Sequence, residues 1–345
     1  MTINLVEVGD FLRRKVYKRD FEEEAEISKF TYDHSYRVFL NGKKALNVRR
    51  PTLVSYEEHY RFFRNWLTYK GYELEYTDEL TTEIVYEYIN YMKEDHYNIK
   101  TKVAGLSTQT INARIRFLKT FYSFLEKEQL IAENVMLAIK YLRVDAYKAE
   151  LLTDEEMKRL LNVPDVKLYP QWRDKVFMHV LYDTCLRMHE AINLEESDIN
   201  FATHKINLPS NKAKDRRHRV IPLSNITVKM LSKLITENKA AFGDVSYVFL
   251  NWYGERLSED TFRRSIKRYV AKAGITKNFT CHDFRRQGIT ELLKNGASLF
   301  AVQAIAGHSQ ISTTKKYVFF DEQTLQKQHS MYSPLQNQVY KVRRN

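Results

Sequence analysis

Cysteine is nearly absent: a chain of 345 residues holds two, Cys185 and Cys281. Two thiols build neither a disulfide framework nor a zinc-finger module. Glycine, with ten residues, and proline, with six, are also scarce, which leaves little material for tight turns and points to a helix-rich chain. No apolar run approaches the ~18 residues of a membrane span. The first residues, Met1 to Val8, lack the basic start and long apolar stretch of an export signal. A cytoplasmic location with no membrane partner is therefore expected. Acidic residues are outnumbered: 43 Asp and Glu stand against 55 Lys and Arg, a net charge of +12. That excess favours a polyanionic partner. The apolar share of 43% is ample for real cores, and the length suits two domains with an appendage.

Residues 1–50 are charged and mixed, with Glu22-Glu23-Glu24 between two basic clusters, and read as an appended element. Residues 51–145 have helical periodicity. Ser55-Tyr56-Glu57-Glu58 has the form of a capping box, and Tyr60, Phe63, Trp66 and Leu67 follow at helical spacing. A second helix is expected near Thr81 to Lys93. A third starts at Ser107 and carries Ile111, Ile115, Leu118, Tyr122 and Leu125 on one face. Arg114 and Lys119 lie off that stripe, on a face that is either merely solvated or turned to DNA. Asn134 to Ala149 reads as a linker, and a second capping box, Thr153-Asp154-Glu155-Glu156, opens a domain over 150–330. Between Lys205 and Leu223 the period changes to strand, with Ile206 and Leu208 in one and Val220 to Leu223 in the next. Tyr247 to Leu250 fits a further short strand pairing. The rest is helical to about Gln328, and 331–345 forms a tail ending Lys341-Val342-Arg343-Arg344. The expected class is mainly α with a small antiparallel β-sheet in the second domain.

Six side chains in the second domain suit one kind of chemistry. Arg187 lies in Thr184-Cys185-Leu186-Arg187-Met188-His189-Glu190, after an apolar helix where a purely solvated arginine is out of place. His282 and Arg285 form His-x-x-Arg. Gly307-His308 opens a stretch that ends Thr313-Thr314-Lys315-Lys316-Tyr317. A phosphodiester attacked by a side chain passes through a five-coordinate phosphorus with extra negative charge, which guanidinium groups can grip with paired hydrogen bonds. Tyr317 supplies a nucleophile once nearby cations or a base assist its phenol. His282 and His308 supply a base and a hydrogen bond to phosphate. The turn Asn211 to Arg219 carries Lys212, Lys214, Arg216, Arg217 and Arg219, a density of charge suited to tracking phosphates in a groove. A lysine there can also protonate the leaving 5′ oxygen, as arginine cannot. Taken singly, each residue has a bland reading, since the chain contains 23 tyrosines and ten histidines. The ordered set is what carries the inference.

That set resembles the tyrosine recombinase family of phage integrases, Xer-type resolvases and transposon integrases, from about Leu151 to Tyr317. Residues 50 to 145 resemble the family's helical core-binding domain more weakly, and residues 1–50 match an arm-binding domain in position only; an extra core-binding helix is the alternative. The resemblance implies that Arg187, Lys214, His282, Arg285, His308 and Tyr317 surround the scissile phosphate, that Glu190 braces the site, and that Lys212 is the alternative to Lys214. It implies double-stranded DNA as substrate, a 3′-phosphotyrosine intermediate, no metal or other cofactor, and four protomers exchanging strands in pairs. Accessory DNA-bending or directionality factors are further partners of such enzymes. Cys185 stands where the family usually has Gly, His189 replaces a common Ser, Arg286-Gln287-Gly288 replaces a His-Thr-Phe-like run, and Val135 follows Asn134 in place of Pro. Two other readings share these features: a recombinase-fold repressor without catalysis, and a type IB topoisomerase. A pure binder has no physical need for all six groups, and the helical 51–145 domain favours a recombinase over a topoisomerase.

Overall fold

The computed structural model describes residues 29–98, 102–144, 150–318 and 322–335. The chain divides into two compact units, residues 1–147 and 148–345.

The first unit is helical. Helix α1 (Tyr32–Ala45) is capped by Thr31, whose hydroxyl accepts from the His34 amide. Its buried Phe39 meets Phe117, Phe121 and Phe124 edge-on. Tyr32 and Tyr122 share a buried hydroxyl hydrogen bond of 2.8 Å. Residues 32–45 thus belong to the core of this unit, the extra-helix alternative for part of the 1–50 segment; the rest of that segment up to residue 28 lies outside the described residues. Helix α2 (Arg50–Lys70) begins earlier than the Ser55 capping box suggested. Pro51, with its preset φ and missing N–H, starts the helix at its first turn. Ser55 falls inside and bonds His59 Nε2 at 3.3 Å instead. Gly71, at φ +78°, closes α2. Helix α3 (Thr82–Asn90) is capped by Thr81 and runs into a π turn over Tyr91–Asp95. A two-residue hairpin that periodicity did not reveal follows, β1 (Tyr97–Asn98) with β2 (Val103–Ala104). Helix α4 (Thr108–Lys127) starts where expected, at a Ser107 cap, and buries Ile111, Ile115, Leu118, Tyr122 and Leu125.

The expected linker at Asn134 to Ala149 is in its first part a packed segment. Asn134 caps a 3-10 turn by accepting from the Met136 amide. Met136 and Ile139 are buried, and the Asn112 side chain pairs with both backbone groups of Leu142 at 2.9 Å. A buried amide side chain that satisfies a passing strand in this way fixes it in place. Residues 145–149 lie outside the described residues.

The second unit opens with α5 (Asp154–Asn162), whose Thr153–Glu156 capping box forms in both directions. Helix α6 (Tyr169–Thr184) is buried along most of its length and ends at Cys185 in the left-handed conformation, φ +53°. The short α7 (Met188–Ile192) follows. Strands β3 (Ile199–Asn200), β4 (Lys205–Leu208) and β5 (Arg219–Pro222) form an antiparallel sheet in chain order, with Ile206 opposite Ile221. Helices α8 (Asn225–Phe242), α9 (Glu259–Lys272), α10 (Cys281–Lys294), α11 (Leu299–Ala306), α12 (Ile311–Lys315) and α13 (Glu322–Tyr332) complete the unit. The strand expected at Tyr247 to Leu250 does not form a ladder. Val248 donates to Leu194 while Phe249 accepts from Leu257, so pairing switches partner after one rung and leaves only isolated bridges. Phe177 on α6 is fully buried between Phe249 and Phe262, with ring centroids at 4.5 and 4.2 Å. Burial of one such side chain contributes about 1.5–3 kcal/mol, which ties α6 firmly to α9. The architecture is mainly helical with a small antiparallel sheet in the second unit, as the sequence pattern indicated.

Candidate active site

The site forms where the end of α6 meets α10 and the turn after α11. Cys185 turns the chain through its left-handed residue and delivers Arg187 to the N-cap of α7. The position where the resemblance leads one to expect Gly has positive φ, which Gly adopts without strain and which Cys185 adopts here. Three residues on, Glu190 is fully buried. Its carboxylate accepts from the Arg187 amide at 3.0 Å, from Arg187 Nη1 at 3.0 Å, from the Lys214 amide at 3.1 Å and from Arg219 Nη2 at 2.6 Å. Burial alone would push the Glu190 carboxyl up. The hydrogen bond and charge of Arg219, with the two amides, overrule it and hold it down at about 2.

Arg285 comes from α10 and is 3% exposed. It donates to the Cys185 carbonyl at 2.6 Å and to the Ala306 carbonyl at 2.8 Å. Arg187 Nη2 donates to the neighbouring Gly307 carbonyl at 3.1 Å. Both guanidiniums therefore converge on the same turn. Desolvation, and then the Arg187 charge, pull Arg285 down to about 10, so it remains cationic at any neutral pH. Two arginines that converge on one turn are arranged to receive an anion.

His308 follows Gly307 directly. Its Nδ1 pairs with the Thr314 hydroxyl at 2.8 Å. Desolvation, followed by the charges of Arg285, Arg187 and Arg219, lowers it to about 4; the imidazole is neutral at pH 7. The Tyr317 ring lies nearly parallel to it, 6.3 Å between centroids and 12° between planes. Tyr317 is half-buried against the cluster of Cys185, Ile289, Val302 and Ala306. It also borders a cavity of about 660 Å³ shared with Leu293, Gln328 and Tyr332, so α13 lines the same cavity as Tyr317. His282 stands one turn before Arg285, with its exposed edge toward solvent. Desolvation by the surrounding chain and the charges of Arg285 and Arg286 lower its pKa.

The basic turn divides into two classes. Lys212 Nζ is held by Asp198 at 2.6 Å and Glu195 at 3.1 Å. Arg219 is 9% exposed, on the inward face of β5 and paired with Glu190. The sequence reading had these two tracking DNA phosphates; in the structure both are engaged in internal ion pairs. Lys214, Arg216 and Arg217 are exposed. Lys214 is thus the lysine with its amine free of the Asp198–Glu195 clamp, while its backbone is pinned to the site. In the first unit, Arg114 is also occupied: its guanidinium lies 3.4 Å from the Phe62 ring centroid. Lys119 donates to the Met136 carbonyl at 2.6 Å. Both serve the packing of that unit.

Sequence reasoning gave Arg219 to the phosphate-tracking turn and not to Glu190, and it missed the carbonyls of Cys185, Ala306 and Gly307 as the frame of the site. For Arg219 a signal existed. Strand alternation with the buried Ile221 places it on the inward face. The frame carbonyls have no sequence signature, because any residue supplies one.

Comparison with known proteins identifies the family. Residues 150–323 match the phage integrase family. The tyrosine recombinase XerD of Staphylococcus epidermidis is 25% identical over 307 residues, covering 88% of this chain and 99% of its own length. Among solved structures, the Tn1549 transposon integrase in complex with a circular intermediate DNA has a TM-score of 0.68 at 20% identity, covering 86% of this chain and 99% of that one. A lambda integrase dimer bound to a core site has a TM-score of 0.65 at 16% identity, covering 86% and 81%. The chain belongs to the phage integrase family and is a tyrosine-type site-specific DNA recombinase, an enzyme that cuts and rejoins DNA.

Proposed function

We propose that this recombinase acts in the cytoplasm as the integrase of a mobile genetic element, a phage or a conjugative transposon, inserting or excising it through a 3′-phosphotyrosine. Tyr317 Oη attacks the scissile phosphorus. The P–O5′ bond breaks as the Tyr–P bond forms, and the leaving 5′ oxygen takes a proton from the Lys214 ammonium. Arg187 and Arg285 hold the non-bridging oxygens, and their charge counts most in the five-coordinate state. His308, neutral at pH 7, can accept the phenolic proton or bond the phosphate; His282 supplies a second bond. In the reverse step a 5′ hydroxyl of the partner duplex attacks the phosphotyrosine, so the bond energy is conserved and no nucleotide is consumed.

The observation that carries this reading is the convergence of Arg187 and Arg285 on the turn at Ala306–Gly307, with His308 and Tyr317 immediately beyond it. The Tn1549 neighbour supports the mobile-element role. Double-stranded DNA is the substrate, and four protomers on two duplexes are the working assembly, with DNA-bending or directionality factors as further partners. Arg216 and Arg217 contact phosphates.

The test is selection of covalent adducts from a pool of nicked duplexes with randomised sequence. Wild-type protein recovers a defined inverted-repeat site on a denaturing gel, and Tyr317→Phe recovers none. Specific binding without any adduct from the wild type would establish the repressor reading. Adducts without sequence preference, with plasmid relaxation, would establish the topoisomerase reading.

A further inference from the structure

Arg219 lies outside the six reacting groups proposed above, yet three other segments meet on it. Its guanidinium reaches Glu190 through both terminal nitrogens, Nη2 to Oε2 at 2.6 Å and Nη1 to Oε1 at 3.4 Å. Nη1 lies 3.9 Å from Asp215 in the basic turn. On its other side Gly307, at φ +65°, approaches so closely that a Cβ there would stand 2.9 Å from Cζ and Nη1. That same Gly307 accepts Arg187 through its carbonyl, and the residue after it is His308. Glu190 in turn bonds the Arg187 amide, the Arg187 guanidinium and the Lys214 amide.

We propose that Arg219 is a positioning residue for strand cleavage. It fixes the Glu190 carboxylate and seats the Gly307 turn, and thereby sets Arg187, Lys214 and His308 relative to one another without touching DNA. The inference rests on the recombinase chemistry above.

The physical basis is the shape of the guanidinium. A planar fork bonds both oxygens of a carboxylate at once and fixes its plane. The plane of Glu190 then decides where its remaining lone pairs point, which is toward Arg187 and the Lys214 amide. Glu190 is fully buried, and its ionisation depends on what faces it. Arg187 and the Lys214 amide face it from α7 and the basic turn. Arg219 faces it from β5, with Asp215 behind. Arg285 adds its charge from α10, while His308, neutral at pH 7, lies on the Gly307 turn. Arg219 is the largest of the influences that keep Glu190 ionised. Without it, burial raises the carboxyl, a proton occupies one oxygen, and Arg187 loses an acceptor.

The experiment uses full-length protein and a nicked duplex carrying the site recovered by adduct selection. At saturating DNA and neutral pH, Arg219→Gln forms adduct at least tenfold more slowly than wild type. Its affinity and the slope of log Kd against log salt stay unchanged. Its rate falls further on acidification, with an acid limb at higher pH than the wild type's. Arg219→Lys, which keeps the charge, recovers much of the rate and returns the limb toward wild type. Glu190→Gln is slow with no such limb, and combining it with Arg219→Gln adds little.

Near wild-type rates for Arg219→Gln across pH overturn the proposal. So does a salt slope reduced by about one, the mark of a lost phosphate contact. Equal slowing in the Gln and Lys variants with a wild-type pH profile also overturns it, since that means a structural role alone. Should Arg219→Gln fail to fold, Glu190→Gln decides: wild-type cleavage by that variant overturns the proposal. Absence of adduct from the wild type itself strikes the recombinase chemistry, not this assignment.

Discussion

Gly288→Ala is the substitution whose effect the structure specifies most closely. Helices α6 and α10 touch at Gly288, where an added Cβ would stand 2.4 Å from the Tyr182 carbonyl oxygen and 2.9 Å from Cys185 Sγ. Ordinary contact begins at 3.4 Å, so the helices must separate by about 1 Å. The obstructing atom is backbone within a buried helix and cannot swing aside. Overpacking of that kind costs about 1–3 kcal/mol, and a rigid neighbour places it near the upper end. Replacing Gly by Ala inside a helix returns about 1 kcal/mol. The net loss is about 2 kcal/mol, or roughly 4–8 °C in Tm for a unit of this size. Activity suffers more. The Arg285–Cys185 bond of 2.6 Å crosses the same interface, and Arg187 lies two residues beyond Cys185. A displacement of about 1 Å between reacting groups costs on the order of 10²-fold. The assays are thermal unfolding and single-turnover adduct formation at saturating DNA. A melting temperature within a degree of wild type, together with wild-type cleavage, would refute this reasoning.

Three further outcomes follow from the site. Arg187→Ala and Arg285→Ala should bind the DNA site normally by gel shift yet lose adduct formation, by on the order of 10²-fold or more each; cleavage near the wild-type rate by either would break the clamp assignment. Lys214→Ala should slow cleavage and be rescued by a duplex whose leaving 5′ oxygen is replaced by sulfur, which departs without a proton. Lys212→Ala should instead lower stability with no selective rescue, since its amine joins Asp198 and Glu195; rescue of the Lys212 variant alone would reverse the two roles. His308 is depressed to about 4 from an ordinary value of 6.5. The folded protein then binds fewer protons than the unfolded chain between those values, so stability is full above about 6.5 and falls on acidification toward 4. Urea unfolding at pH 7 and 5 should show a smaller drop for His308→Gln than for wild type, and an equal drop would remove His308 from that linkage.

Local chemistry made much of this protein legible in its residues. Hydrophobic spacing marked α3 and α4, the Thr153–Glu156 box marked α5, and alternation around Ile206 and Ile221 marked the sheet, because each signal acts within a few residues. The candidate set was readable for a different reason: its side-chain types are those the proposed reaction requires, whatever the fold does around them. The start of α2 was misread because Ser55-x-x-Glu58 and Pro51 are competing start signals, and only the packed helix chose between them. The segment from Asn134 to Leu142 resembled a linker because its anchor, Asn112, lies 30 residues away from Leu142 in sequence.

Tertiary structure alone decided which of five neighbouring cations are held in internal ion pairs and which are exposed. Lys212, Lys214, Arg216, Arg217 and Arg219 are alike in composition, and charge says nothing of direction. Folding brings Asp198 and Glu195 to Lys212 and Glu190 to Arg219, which leaves Lys214 exposed on a backbone pinned to the site. The partners that make this selection come from α7 and from the turn before β3, so no reading of the nine-residue turn by itself contains them.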